Sequence, residues 1–401
     1  MPWKETCAMD QKLCFVAELL KGDEPLTVLC EQFGITRQTG AKWRDRYRAH
    51  GLEGLVERPR APRHHGRAMP DEVADRIIEL RRQRPHWGPR KLLAVLEREN
   101  PATAWPAASS IGDLLRREGL SEPRKRRRRP LAAEQPFRAV RAANDVWCMD
   151  FKGWFRTGDG TRCDPLTVTD AHSRYLLACR IIPPVTEAVK AECERLFRDA
   201  GMPLAIRSDN GPPFAALGAG GLSRLAVWWV KLGIELQRIE PGKPQQNGRH
   251  ERMHRTLKHE TSRPAAATAA DQQLRFDRFR QEFNRERPHE ALGQEPPAWH
   301  WQPSLRPFPE RIEEPWYDAD HAVRRVRPSG EIRWGGDFVF ISESLVGEPV
   351  GITELEDGSW IVRFASLDLG IIDRRTKKLR RFGAGRPPRP EASSQTEPAP
   401  C

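Results

Sequence analysis

Residues 146–182, VWCMDFKGWFRTGDGTRCDPLTVTDAHSRYLLACRII, read as three β-strands in succession. The runs VWCMDFKGWFRT, DPLTVTDAH and RYLLACRII are rich in β-branched, aromatic and aliphatic residues, and turn residues separate them at Thr157-Gly158-Asp159-Gly160 and His172-Ser173. Beyond them the period changes. Thr186 to Ala200 has the apolar spacing of a helix, PLAIRSD (203–209) that of a short strand, and Leu222 to Leu232 that of a second helix. IELQRIE (234–240) is a further strand, and Gly248 to Thr261 a further helix. The order is βββαβαβα. Hairpins first and crossovers later imply a mixed sheet with helices on its faces and ligands near the carboxyl ends of the parallel strands.

In this order three carboxylates converge. Asp150 lies in the first strand, Asp209 ends the fourth in RSDNG, and Glu251 opens the last helix in NGRHERMHRTLK. Adjacent central strands bring the two aspartates to one sheet edge, and a helix packed there offers Glu251. Three clustered carboxylates repel unless cations neutralise them, and oxygen donors of this kind suit Mg²⁺ or Mn²⁺. Two such ions roughly 3.5 to 4 Å apart stabilise the attacking and leaving oxygens of an in-line displacement at phosphorus, so the expected chemistry is that of phosphodiesters. Asn210-Gly211 permits a tight turn that presents Asp209. In the loop PGKPQQNG (241–248), Lys243, Gln245 and Gln246 are candidate contacts to a DNA end. Arg255 and Lys258, at i+4 and i+7 from Glu251, share its helix face as candidate phosphate ligands.

Charge points to the same partner. At roughly 100 to 200 residues per domain, the 401-residue chain holds two to four domains. It carries 67 Lys and Arg against 55 Asp and Glu, a net of +12, of which +9 falls in the first 130 residues. A basic front end ahead of a nearly balanced body suits a polyanion, nucleic acid first. No apolar run approaches the roughly 18 residues of a membrane span, and the first residues lack a signal-peptide core. A soluble cytoplasmic protein is therefore expected. The eight cysteines form no Cys-x-x-Cys pair, which argues for reduced structural thiols over zinc or redox chemistry.

Residues 1–60 read as a helix-turn-helix unit: Asp10 to Leu20, a second helix opened by Pro25, a turn at Gly34-Ile35, and a third helix capped by Thr36. In such a unit Arg37, Gln38, Thr39 and Lys42 meet base edges, Arg44, Arg46 and Arg48 suit phosphates, and Trp43 and Tyr47 pack inward. An ordinary three-helix bundle with a basic face has the same letters. A second unit of the same geometry spans 68–120, with helices from Pro70 to Gln83, Arg90 to Glu99 and about Ser109 to Gly119. A basic linker (121–145) with a basic run that includes Lys125 to Arg129 leads into the core (146–305). Short strands then alternate through 318–380 as a small β-barrel, and a Pro-, Gly- and Ser-rich tail (383–401) reads as disordered.

WCMDFKGWF (147–155), TDAHSRYLL (169–177), RSDNGPPF (207–214), PGKPQQNGRHERMHRTLK (241–258) and FNRERPHEALGQEPPAWHW (283–301) occur in this order. Together they resemble the motifs of insertion-sequence transposases with a retroviral-integrase-like (rve) catalytic core, the DDE group. The resemblance runs from about residue 10 to 375. It implies a multidomain α+β chain whose core has an RNase H-like fold, with Asp150, Asp209 and Glu251 as ligands of two Mg²⁺ or Mn²⁺ ions. It also implies binding of the element's terminal inverted repeats, DNA cleavage followed by strand transfer into target DNA, and a homo-oligomer in a synaptic complex, because two ends must be joined. Two departures stand out. Asp209 and Glu251 have 41 residues between them, more than the spacing that gives the group its name, and AALGAGG (215–221) accounts for the excess as a loop. The His and Cys zinc module of retroviral integrases is replaced by the helix-turn-helix units.

Two rivals remain at this level. His250-Glu251-Arg252-Met253-His254 matches the H-E-x-x-H pattern of zinc proteases, with His259, Glu260 and Glu282 as candidate third ligands. A DNA-binding repressor or a decayed transposase would keep the helices and lack the chemistry. Asp170 is expected to cap a turn or pair with Arg174, Asp159 and Asp164 to serve the hairpin, and Trp228 and Trp229 to lie in the core.

Overall fold

The computed structural model describes residues 7–57, 69–121, 139–216, 218–240 and 244–382. The basic run Lys125 to Arg129, Lys243 and the tail 383–401 lie outside the described residues. The chain divides into two compact units, Met1–Pro70 and Asp71–Cys401.

The first unit is a three-helix cluster: α1 (Ala8–Lys21), α2 (Leu26–Gln32) and α3 (Arg37–His50). Cys7 and Asp10 form a reciprocal cap on α1, and Thr36 Oγ1 accepts from Thr39 N–H at 3.2 Å to start α3. Phe15, Val16, Leu29, Cys30, Trp43 and Leu55 make the core. The turn between α2 and α3 is tight because a Cβ on Gly40 would stand 2.3 Å from Cys30 Sγ, so only glycine lets the helices approach this closely. Arg37, Gln38 and Lys42 are exposed, Thr39 is half-buried, and Arg46 lies over the buried Trp43 ring.

The second unit begins with α4 (Asp71–Gln83), α5 (Pro89–Glu99) and α6 (Ala108–Arg117). Gly88 and Pro89 start α5 as N-cap and first helical residue, and Ile77, Leu80, Trp87, Leu92, Leu96, Ile111 and Leu115 are buried between the helices.

The core that follows contains β1 (Val146–Phe151), β2 (Phe155–Arg156), β3 (Arg162–Cys163), β4 (Pro165–Asp170) and β5 (Leu176–Ile181), then α7 (Thr186–Ala200) and β6 (Ala205–Ser208). It closes with α8 (Arg224–Lys231), β7 (Glu235–Arg238), α9 (Gly248–Thr261) and α10 (Ala269–Arg285). The main sheet has the order β5-β4-β1-β6-β7. β4 runs antiparallel to β1 and β5, while β1, β6 and β7 are parallel. This is the mixed, RNase H-like sheet that the motif resemblance implies. Where one long strand was expected from 146 to 157, β1 ends at Phe151. Gly153, at φ 83°, turns the chain, and the remainder pairs with β3 as a short ribbon.

Side-chain alternation sorts the two faces. Trp147 and Met149 in β1, and Leu166 and Val168 in β4, face α7 and α8, packing with Val189, Phe197, Trp228 and Trp229. Trp228 and Trp229 are thus core residues, as their pattern suggests. Leu176, Cys179, Met253, Leu257, Phe276, Phe279 and Phe283 form the opposite layer under α9 and α10. Thr167 and Thr169 in β4 lie on this second face, where a polar pair meets α9. The α4–α6 helices dock on α10: Arg84 pairs with Glu282 at 2.9 Å and with Glu286, and Arg98 stacks over Trp299. Half-exposed pairs of this kind are each worth about 0–1 kcal/mol, so the docking depends on several acting together.

The C-terminal strands are β8 (Ala322–Arg325), β9 (Glu331–Trp334), β10 (Asp337–Phe340), β11 (Pro349–Glu354), β12 (Trp360–Phe364), β13 (Leu367–Ile372) and β14 (Leu379–Arg381). They do not close into the expected barrel. Five form a sheet ordered β14-β13-β12-β11-β8, with β14 and β8 as its outer strands among the described residues, and β9 and β10 form a separate ribbon. The apolar face is completed differently: Val350, Ile352, Val362, Phe364 and Leu369 share one cluster with Ala226, Val227 and Val230 of α8 and with Ala219 and Leu222. The AALGAGG excess is therefore not a free loop. Its second half packs into the core of the β domain, and a Cβ on Gly220 would meet Leu369 at 3.3 Å.

Candidate active site

The register Val146↔Ala205, Trp147↔Ile206, Cys148↔Arg207, carried two residues further, sets Asp150 beside Asp209 across the parallel β1–β6 pair. Asp209 follows the end of β6, and its Oδ1 accepts the Gly211 N–H at 3.2 Å, closing the Asp-Asn-Gly turn. Glu251 lies in the exposed first turn of α9. Burial first, with the charges of Asp209 and, less, Glu251, pushes the Asp150 carboxyl up to about 7, against the Phe151 N–H and Lys152, which lower it. All three acids therefore act on one point.

In the absence of divalent metal, the pH dependence of stability reports on this carboxyl. The folded state holds the Asp150 proton up to about pH 7, whereas an unperturbed carboxyl releases it near 3.8. Between those values the folded form binds more protons, so this group's contribution to stability falls as pH rises from about 4 to about 7 and is constant above. His250 and His254, depressed to about 3 and about 2 chiefly by burial, act in the opposite direction. The Tm-versus-pH curves of wild type and Asp150→Asn in chelator isolate the Asp150 part: wild type should lose ground to the variant over this window. Parallel curves would contradict the partly buried, crowded carboxyl.

The remaining expected residues divide. Arg255 and Lys258 are exposed on the Glu251 side of α9. Gln246 is only 1 % exposed: its Oε1 accepts the Glu240 N–H at 2.8 Å and its Nε2 donates to Glu240 Oε1 at 3.0 Å. It therefore braces the loop from inside rather than facing DNA, because a buried amide must satisfy its own hydrogen bonds. The side chain of Gln245, like all of Lys243, lies outside what the structure describes.

Lys152 is a residue that pattern reading passed over. It is half-buried beside Asp150, and burial first and Lys258 second pull its ammonium below the usual range. Two lysines therefore flank the acids, one from the end of β1 and one from α9. Only the spacing of two from Asp150 hinted at it. On the other flank of α9, Arg249 and Arg174 both donate to the Ala171 carbonyl. Burial and then the Arg249 charge bring Arg174 down to about 10. Asp170 caps the adjoining turn, accepting from Ser173 N–H at 2.7 Å and from the Asn144 N–H at 2.7 Å.

The H-E-x-x-H histidines point inward. His250 places Nε2 2.8 Å from Thr167 Oγ1 and Nδ1 2.7 Å from Thr169 Oγ1, so both ring nitrogens are occupied. His254 Nε2 lies 2.6 Å from Thr167 Oγ1, and its Nδ1 lies 3.8 Å from Asp150 Oδ2. Potential donor atoms of Asp150, His250 and His254 all fall within 4.8 Å of one another, yet His250 is spent on the two threonines. Of the suggested third zinc ligands, Glu260 pairs with Arg287 and Glu282 with Arg84, while His259 packs its ring on His86. The protease arrangement is not assembled.

Residues 140–244 match one integrase core domain family (rve) and 232–297 a second, while 11–63 match a helix-turn-helix domain and 39–115 a homeodomain-like domain. No helix among the described residues is long and apolar enough to cross a membrane. The insertion element IS407 uncharacterized 31.7 kDa protein of Burkholderia multivorans is 30% identical over 236 residues, which cover 57% of this chain and 82% of that protein. The insertion element IS476 uncharacterized 39.2 kDa protein of Xanthomonas euvesicatoria is 30% identical over 236 residues, covering 56% of this chain and 63% of that protein. Among solved structures, the HTLV-2 integrase catalytic core domain in complex with magnesium aligns at a TM-score of 0.31 and 14% identity, over 40% of this chain and 97% of its own. With a relative of this identity spanned over most of its length and an integrase core match coinciding with the Asp150–Asp209 sheet, the chain belongs to the insertion-sequence transposases built on an integrase (rve) core.

Proposed function

We propose that this transposase cuts the terminal inverted repeats of its element and joins the freed ends to target DNA, with Asp150, Asp209 and Glu251 as the metal-holding triad. The observation that carries the reading is the partly buried Asp150 carboxyl, raised by both other acids and flanked by Lys152 and Lys258. Such a donor set fits a hard divalent cation, because neutralisation removes a repulsion the folded chain otherwise retains. Two Mg²⁺ or Mn²⁺ ions there supply charge stabilisation to the attacking and leaving oxygens at phosphorus.

The chain's own residues do the rest. Lys152, Lys258 and Arg255 bind backbone phosphates on the Glu251 side of α9. Arg37, Gln38, Thr39 and Lys42 at the start of α3 read base edges, and Arg46 contacts phosphate. In the first step water oxygen attacks phosphorus and the bond to the 3′ oxygen breaks, leaving a 3′-OH and a 5′-phosphate. In the second, that hydroxyl attacks a target phosphorus and displaces a target 3′ oxygen. A homo-oligomer holds both ends, acting on nucleoid DNA in the cytoplasm. The test is incubation of full-length protein with labelled element ends and Mg²⁺: nicks with 3′-OH termini, followed by joined products, are expected. Ends bound at nanomolar protein but left intact would favour the repressor reading instead.

A further inference from the structure

Thr167 Oγ1 makes three polar contacts: 3.1 Å to the Asp150 carbonyl oxygen, 2.8 Å to His250 Nε2 and 2.6 Å to His254 Nε2. A hydroxyl has one proton and two acceptor lone pairs, and a carbonyl only accepts. One assignment satisfies all three contacts: Thr167 donates to the carbonyl, and both imidazoles donate from Nε2 to the hydroxyl oxygen. Buried between sheet and helix, both rings are neutral, so each has a bare lone pair at Nδ1. His250 uses its own to accept from the Thr169 hydroxyl at 2.7 Å. His254 aims its lone pair at Asp150 Oδ2, 3.8 Å away, with its side chain only 9% exposed.

With Asp150 ionised, both atoms are acceptors, and at 3.8 Å they lie beyond hydrogen-bond range of each other. Potential donor atoms of Asp150 and His254 fall in one cluster within 4.8 Å, and a single cation between them would take a lone pair from each. Donors bound to one first-row ion at roughly 2.0–2.2 Å lie at most about 4.4 Å apart, and the observed separation falls inside that limit. We propose that His254 Nδ1 is a direct donor to the ion held at Asp150, so that the site has one nitrogen among its carboxylate oxygens. Imidazole favours transition ions and Mg²⁺ prefers oxygen, so this nitrogen biases the site toward Mn²⁺. The inference rests on the metal-holding reading of Asp150 given above.

Electron spin echo measurements on full-length protein with one equivalent of Mn²⁺ and no DNA test it without reference to turnover. Wild type should show imidazole ¹⁴N modulation that changes to the ¹⁵N pattern when histidine is isotopically labelled. His254→Gln should lose the modulation, retain bound Mn²⁺, and bind it on the order of ten-fold more weakly, with a smaller change for Mg²⁺. His250→Gln, the reciprocal variant, should keep the modulation, so the assignment does not depend on one variant folding. Mn²⁺ bound in an Asp150-dependent way without imidazole nitrogen, or modulation lost only with His250, overturns the role of His254 and leaves the metal-holding triad standing. Failure of wild type to bind Mn²⁺ overturns both.

Discussion

Glu251→Gln should lower the rate of strand cleavage at the element's ends by on the order of 10³-fold while repeat binding stays within about two-fold. The carboxylate sits in the exposed first turn of α9 and adds its charge to that of Asp209 at Asp150. Gln keeps the size and the helix, but it removes one unit of the negative charge on which cation binding depends. Charge stabilisation by a bound metal is worth several kcal/mol in the transition state, and each 1.36 kcal/mol is a factor of ten in rate. The residues proposed to read base edges lie in the separate unit of residues 1–70, so binding should be spared. Single-turnover nicking and a gel-shift titration on the same repeat duplex measure the two effects. Equal nicking by wild type and variant would remove Glu251 from the chemistry.

Thr167→Val is expected to destabilise the protein by about 3 kcal/mol, although it replaces one buried side chain by another of nearly the same shape. The hydroxyl serves the Asp150 carbonyl and both histidines. Removing it strands two ring N–H groups in a layer that also contains Met253, Leu257 and Phe276. A buried donor left without a partner costs about 1–3 kcal/mol, and two are orphaned. Thr167→Ser keeps the hydroxyl and should lose only the methyl, about 1 kcal/mol. Urea midpoints at unchanged m-value test the pair. If Val proves no worse than Ser, the threonine does not hold α9 to the sheet. Because α9 also presents Glu251, Val should reduce cleavage as well, through displacement rather than loss of a reacting group.

The strands and helices were legible because each obeys a short-range rule. Trp147 and Met149 alternate with Cys148 and Asp150, and α7 shows one apolar side. The pairing of Asp150 with Asp209 followed from topology, since parallel neighbours in a βαβ order place equivalent strand ends side by side. What failed was anything that required knowing which surface covers which. Gln246 looked like a loop contact, yet it folds back on Glu240 across six residues. The barrel failed for the same reason: a run of short alternating strands is compatible with closure or with an open sheet, and only the presence of α8 under β11–β13 decides between them.

His250 and His254 show the division most sharply. In the sequence they are two histidines four apart around a glutamate, equally suited to zinc or to a helix face. The sequence, through helical periodicity, determined that both lie on one side of α9. It also determined the order of elements, the basic front end and the three acids. Only the tertiary structure decided that the histidine side meets Thr167 and Thr169, that Lys152 lies close to Lys258, and that the excess before Glu251 is packed against a second sheet. These pairings join positions from 81 to more than 100 residues apart in the chain, and local propensity has no knowledge of them. They are settled by which buried polar groups can satisfy one another once the apolar faces have closed.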